Sequence, residues 1–236
     1  MENANYTTLA RQSGLLRELQ VIANNVANIS TSGYRREGVI FSEYIKGIGS
    51  EGSLSMARGN NRHIDLRPGT ISTTGESLDF AISGSGFFLV STPEGERLTR
   101  SGAFLRSSEN TVVNSDGYSL LDDAGIPIVL PNDFKGLSVS SDGALSAYDT
   151  VVATIGIWQA ADPTRMQHTA GTLFKADEYE LIEGSSVHQG SLEDSNVNAV
   201  SEIARMVEVQ RNYELGQKFM DFEDQRQRAV ISTLGR

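Results

Sequence analysis

The sequence predicts an α+β protein: N- and C-terminal helices that pair as a coiled-coil-like core, with an antiparallel all-β domain inserted between them. Three observations carry that prediction. Apolar residues recur in alternating steps of three and four at both ends of the chain. The middle consists of short β-type runs broken by Gly, Asn and Asp. Two polar stretches separate these patterns.

The first element, residues 1–33, is expected to be a core helix. Leu9, Gln12, Leu16, Leu19, Ala23 and Val26 follow the a/d spacing of a helical seam, and Leu15, Ile22 and Ile29 widen it on one side. No proline interrupts the pattern, and Ser-Thr-Ser-Gly ends it at Gly33. Residues 34–74 alternate weakly and read as an extended linker or hairpin. Residues 75–185 read as the antiparallel β domain, with runs such as GFFLVST, TVVNSDGYSLL and VVATIGIW. Asp116-Gly117, Gly125 and Asp142-Gly143 stand where its hairpins turn. A connector, 186–196, leads to a second core helix at 197–236. Asn198 is its expected N-cap, and Ala199, Ile203, Met206, Gln210, Tyr213, Gln217 and Met220 form its stripe. Isolated helices are marginal in water, so two apolar stripes at opposite ends of a chain call for partners.

Charge and composition narrow the function classes. Residues 1–36 hold four basic and two acidic groups, and 197–236 hold six of each, so the net −10 of the chain falls on the middle as −12. An acidic body with near-neutral ends argues against nucleic acid or anionic membrane as partners. The chain has no cysteine, which excludes disulfides and thiol chemistry. No apolar run is long enough to insert in a membrane. The polar start, MENANYTTLARQSG, lacks the apolar segment of a cleaved signal peptide, so any export is expected to leave it intact.

No constellation supports catalysis, a cofactor or a metal. Gly47-Ile48-Gly49-Ser50-Glu51-Gly52 matches the dinucleotide fingerprint in letters only, because no amphipathic helix follows it. His63, His168 and His188 have no metal-ligand spacing. Ser83-Gly84-Ser85-Gly86 lacks the strand–elbow–helix setting of a hydrolase nucleophile. The informative motif is Ala23-Asn24-Asn25-Val26-Ala27-Asn28. Asn is a poor helix former, and buried Asn in a helical seam fixes register at a cost in stability.

LQVIANNVANISTSGY is similar to the N-terminal signature of the flagellar axial proteins, the rod, hook and hook-associated subunits. GESLDFAISGSGFFLVSTPEGERLTRSGAF resembles the start of their core domain, with Ser85 in place of the usual acidic residue and Leu98 in place of the usual aromatic. GSLEDSNVNAVSEIARMVEVQRNYE resembles their C-terminal signature. Within that family the length and single β domain are most like a proximal rod subunit, with the distal rod protein as the competing reading and a self-contained periplasmic binding module as the alternative outside the family. The resemblance implies a non-enzymatic subunit that polymerises through its terminal helices into a tubular shaft, which transmits torque and surrounds the export channel. The implied partners are other rod subunits and, during secretion, the flagellar export apparatus. The implied location is the periplasmic rod of the basal body. Leu9, Leu16, Leu19, Ala23, Asn24, Asn25, Val26 and Asn28, with Ile203, Met206, Val207, Gln210 and Tyr213, are the residues expected at assembly interfaces.

Overall fold

The structure is a computed structural model that describes residues 2–47, 53–132, 136–148 and 150–234. It divides into two compact units. One comprises Met1–Ala27, Glu37–His63 and Asn198–Arg236; the other comprises Asn28–Arg36 and Ile64–Val197.

Two helices dominate the first unit. Helix α1 runs Glu2–Ala27 and helix α2 runs Ala199–Leu234. Asn198 caps α2, its Oδ1 accepting from the Ser201 N–H at 3.0 Å, which satisfies one of the orphan donors of the first turn. The helices are antiparallel: Gln12 meets Tyr213, while Asn25 meets Glu202. Strands β1 (Glu37–Gly47) and β2 (Ser53–Ile64) pair as a two-stranded sheet, and β1 packs against α1. Of the fingerprint-like glycine run, Gly47 ends β1 and residues 48–52 lie outside the described residues.

The second unit is built from short strands: β3 (Ile71–Thr73), β4 (Phe80–Ser83), β5 (Phe88–Thr92), β6 (Gly95–Thr99), β7 (Phe104–Arg106), β8 (Val112–Asn114) and β9 (Ser119–Leu120) come first. They are followed by β10 (Leu137–Val139), β11 (Ala144–Ala147), β12 (Thr150–Thr154), β13 (Trp158–Ala160), β14 (Gln167–His168), β15 (Leu173–Lys175), β16 (Tyr179–Leu181), β17 (Ser186–Gln189) and β18 (Ser191–Glu193). Seven of them form one sheet in the order β14-β15-β6-β5-β9-β8-β7, and its registered pairs are antiparallel.

That sheet is buried on both faces. Successive side chains of a strand point to opposite sides. Phe88 and Val90 enter a cluster with Phe104, Val112 and Leu120, while Phe87 and Leu89 enter another with Leu98 and Phe174. This is why β5 reads as an unbroken apolar run rather than an alternating one. Asp116-Gly117 and Asp142-Gly143 do sit at turns, with Gly117 N–H donating to Asn114 O and Gly143 N–H to Ser140 O. Residues 186–196, read from sequence as a connector, carry β17 and β18. These pair with β4 and β3. Their polar side chains gave no strand pattern, since the pairing is made by backbone groups.

Candidate assembly interface

The helix pair of the first unit buries a seam spaced in threes and fours. On α1 it consists of Gln12, Leu15, Leu19, Ile22 and Val26, and on α2 of Glu202, Met206, Val209 and Tyr213. Each fully buried aliphatic side chain there contributes about 1.5–3 kcal/mol. The seam shares Gln12, Leu19, Val26, Met206 and Tyr213 with the stripes read from sequence, but its alternate members are displaced by one residue. Leu15 and Ile22 face inward, where the sequence stripe placed Leu16 and Ala23. The reason is the neighbouring flank of α1: Glu18, Val21 and Asn25 are buried as well, so the helix presents two faces rather than one.

Consequently Leu9, Leu16 and Ala23, seven residues apart, form an exposed row on α1. Leu9 is 59% exposed and Leu16 44%. On α2, Ile203 and Val207 are exposed, as are Val200, Leu215, Phe219 and Phe222. Asn24 and Gln210 face solvent, and Asn28 is half-buried with its Oδ1 accepting from the Thr31 hydroxyl at 3.1 Å. Toward its C-terminal end α2 runs on to Leu234, where Val230 and Ile231 are exposed.

Asn25 is the polar centre of the unit and is fully buried. Its Nδ2 donates to Glu37 O at 2.8 Å and to Glu202 Oε2 at 3.0 Å, and its Oδ1 accepts from the Glu37 N–H at 3.0 Å. One amide thus ties α1, α2 and the start of β1 together. An apolar residue could not hold this register, since each of these buried partners would lose a bond. A second tie is ionic: Arg205 donates to Glu18 Oε1 at 2.7 Å. Desolvation opposes the Arg205 charge, but bonding and attraction to Glu18 and Glu208 outweigh it and raise its pKa.

The second unit holds a polar cluster that the sequence reading did not single out. Glu193, on β18, lies between two buried arginines, 2.6 Å from Arg35 Nη1 and 2.7 Å from Arg100 Nε. Arg100 is bonded throughout: Nη1 donates to Gly86 O, and Nη2 to Ile82 O and Gly84 O. Burial lowers the pKa of both arginines, against the attraction of Glu193. Close beside them the chain passes at Gly33, which has φ +72° and whose missing Cβ would lie 2.2 Å from Ser101 N. The Gly33 N–H donates to Glu193 O at 2.7 Å. Asn196 completes the cluster. Its Oδ1 accepts from the Arg36 N–H, and its Nδ2 donates to Asp65 O and Arg67 O. The signal was present in the sequence: Gly33, Arg35, Arg100, Glu193 and Asn196 lie in or beside the three quoted motifs, and the fold brings those motifs to one place.

His168 packs between the rings of Tyr34 and Phe174 rather than among acidic groups. Among the described residues no group of three His, Asp or Glu side chains is placed to hold a metal ion.

Comparison with known proteins matches the same three stretches. The family model described as flagella basal body rod protein matches residues 3–35. That of the flagellar hook protein FlgE/F/G D1 domain matches 81–147, and that of the flagellar basal body rod FlgEFG protein C-terminal region matches 188–233. The flagellar basal-body rod protein FlgF of Caulobacter vibrioides is 32% identical, with 100% of this chain and 99% of the relative covered. FlgF of Mesorhizobium japonicum is 33% identical over the same shares. The rod protein FlgG of Bacillus subtilis is 29% identical, covering 93% of this chain and 94% of the relative.

Proposed function

The chain belongs to the flagellar basal-body rod proteins, as a FlgF-type structural subunit of the basal body, and from that premise we propose that it polymerises through its two terminal helices into the proximal rod. Its partners in the basal body are other axial components of the flagellum. In this reading the helix pair forms the inner wall around the export channel and the subunit reaches the periplasmic rod through the export apparatus. Torque then crosses each contact between neighbouring subunits.

One observation carries the proposal. The helix pair satisfies itself along one seam and still leaves apolar rows bare on both helices, including Leu9 and Leu16 on α1 and Ile203, Val207, Leu215 and Phe219 on α2. Apolar rows left bare along a helix are candidates for an interaction face. Heterologous contacts that do not close on themselves generate a helical filament.

The test separates folding from assembly. Leu16→Asp places a charge on the exposed row and outside the buried seam. Its monomer is expected to match the parent in thermal stability within about 0.5 kcal/mol, the usual range for surface changes, while rods in cells carrying it fail to form. Assembled, motile rods containing Leu16→Asp would overturn the assignment of this face.

A further inference from the structure

The second unit contains a cleft of about 300 Å³ whose wall includes Arg35, Arg100, Phe87, Met166, Leu66 and Pro163. Its chemistry is unusual for a structural domain. Two guanidinium groups share one bonded carboxylate, Glu193, and the Asp65 carboxylate also acts on Arg35. The two arginines are not equivalent. Arg100 spends all three of its nitrogens on Glu193 and on backbone carbonyls. Arg35 makes its bonds through Nη1, to Glu193 Oε1 and to Arg67 O. Its Nε is buried without an acceptor among the described residues, although the side chain is only 2% exposed.

A buried donor left unpaired is costly, and more so when the group is charged. The side edge of a guanidinium is shaped to take a carboxylate with two parallel bonds. Most of the remaining wall is apolar, with Phe87, Met166, Leu66 and Pro163, and Ser85 and Gln159 add two polar side chains. Pockets of this kind hold a mainly apolar ligand and orient it through a few polar groups.

We infer that this cleft is a binding subsite for a carboxylate carried on a short aliphatic stem, held by the free edge of Arg35. Two sources offer that chemistry: a glutamate or aspartate side chain of a second copy of the chain, and a free carboxylic acid. The subsite stands on the geometry of the second unit and does not depend on the rod reading.

Hexanoate is the probe, with hexanamide as its uncharged counterpart. Each is titrated into the full-length monomer while the Arg35 Nε–H and Met166 methyl resonances are followed by NMR. The expected result is saturable movement of both signals with hexanoate and at least about tenfold weaker response to hexanamide, the difference a charge-assisted pair makes. Arg35→Lys keeps a cation beside Glu193 but removes the fork, and is expected to weaken hexanoate binding about tenfold or more. Should that variant fail to fold, Ser85→Trp at the exposed rim obstructs the cleft from a solvent-facing position and is expected to abolish binding. Absence of saturation, equal binding of hexanamide, or undiminished binding to a folded Arg35→Lys or Ser85→Trp chain would overturn the inference. Sedimentation velocity at rising protein concentration distinguishes the sources. Self-association weakened by hexanoate identifies the side chain of a second copy, and unaffected association alongside saturable binding identifies a free acid.

Discussion

Replacing Asn25 with alanine removes three hydrogen bonds at once, two to the backbone of Glu37 and one to the carboxylate of Glu202. Each such bond contributes about 0.5–1.5 kcal/mol net, and its loss leaves a partner in a buried setting, so the expected cost is about 2–4 kcal/mol. Asn25→Asp gives a sharper test because it is nearly isosteric. It keeps an acceptor for the Glu37 N–H but turns the donor into a carboxylate oxygen, at the position now 2.8 Å from Glu37 O and 3.0 Å from Glu202 Oε2. Like charges in a desolvated site raise the pKa of one of the pair. A carboxyl whose pKa is raised in the fold is fully destabilising above that value, and the penalty shrinks as pH falls from there and is gone below the unfolded pKa. Asn25→Asp is therefore expected to be less stable than Asn25→Ala at pH 7 and to recover relative to it in mild acid. Native-state hydrogen exchange at the amides of α1, α2 and Glu37 reads the local free energy of this unit directly. A change below about 0.5 kcal/mol for Asn25→Ala, or a pH-independent order of the two variants, would refute the role given to this amide.

Three further expectations follow from the same structure. Glu193→Gln leaves two buried arginines without their shared anion, and is expected to lower the stability of the second unit by about 3–5 kcal/mol, read as a shift of its urea transition. Gly33→Ala imposes a positive φ on a side chain and drives its Cβ into the backbone at Ser101; a loss of at least about 2 kcal/mol is expected in the same assay, with Gly125→Ala, which meets nothing within 4 Å, costing markedly less. Limited proteolysis with mass mapping is expected to cut within the first and last segments before the strand-rich core. The helix pair rests on a small cluster around Leu15, Ile22 and Val209, whereas the second unit holds far larger ones. Uniform resistance along the chain would count against weakly held ends.

Much of this protein was legible from the order of its residues. Helical periodicity at both ends, strand runs in the middle and the glycine-marked turns are local properties, and local sterics decide them. The three motifs that carried the family resemblance are also linear, and the comparisons match the same stretches. Which face of each helix is buried is a different matter. Both Leu9-Leu16-Ala23 and Leu15-Ile22 satisfy a heptad step, and periodicity alone does not rank them. The choice falls to tertiary packing: β1 packs against α1, Asn25 bonds its first residue Glu37, and Leu15 and Ile22 face inward. In the same way, the asparagine cluster announced a polar role, but only the fold selected Asn25 from among its neighbours. The pairing of Arg35 and Arg100 with Glu193 spans most of the chain. A charge far away in sequence has no periodic signature, and its desolvated partner exists only once the strands around it have closed.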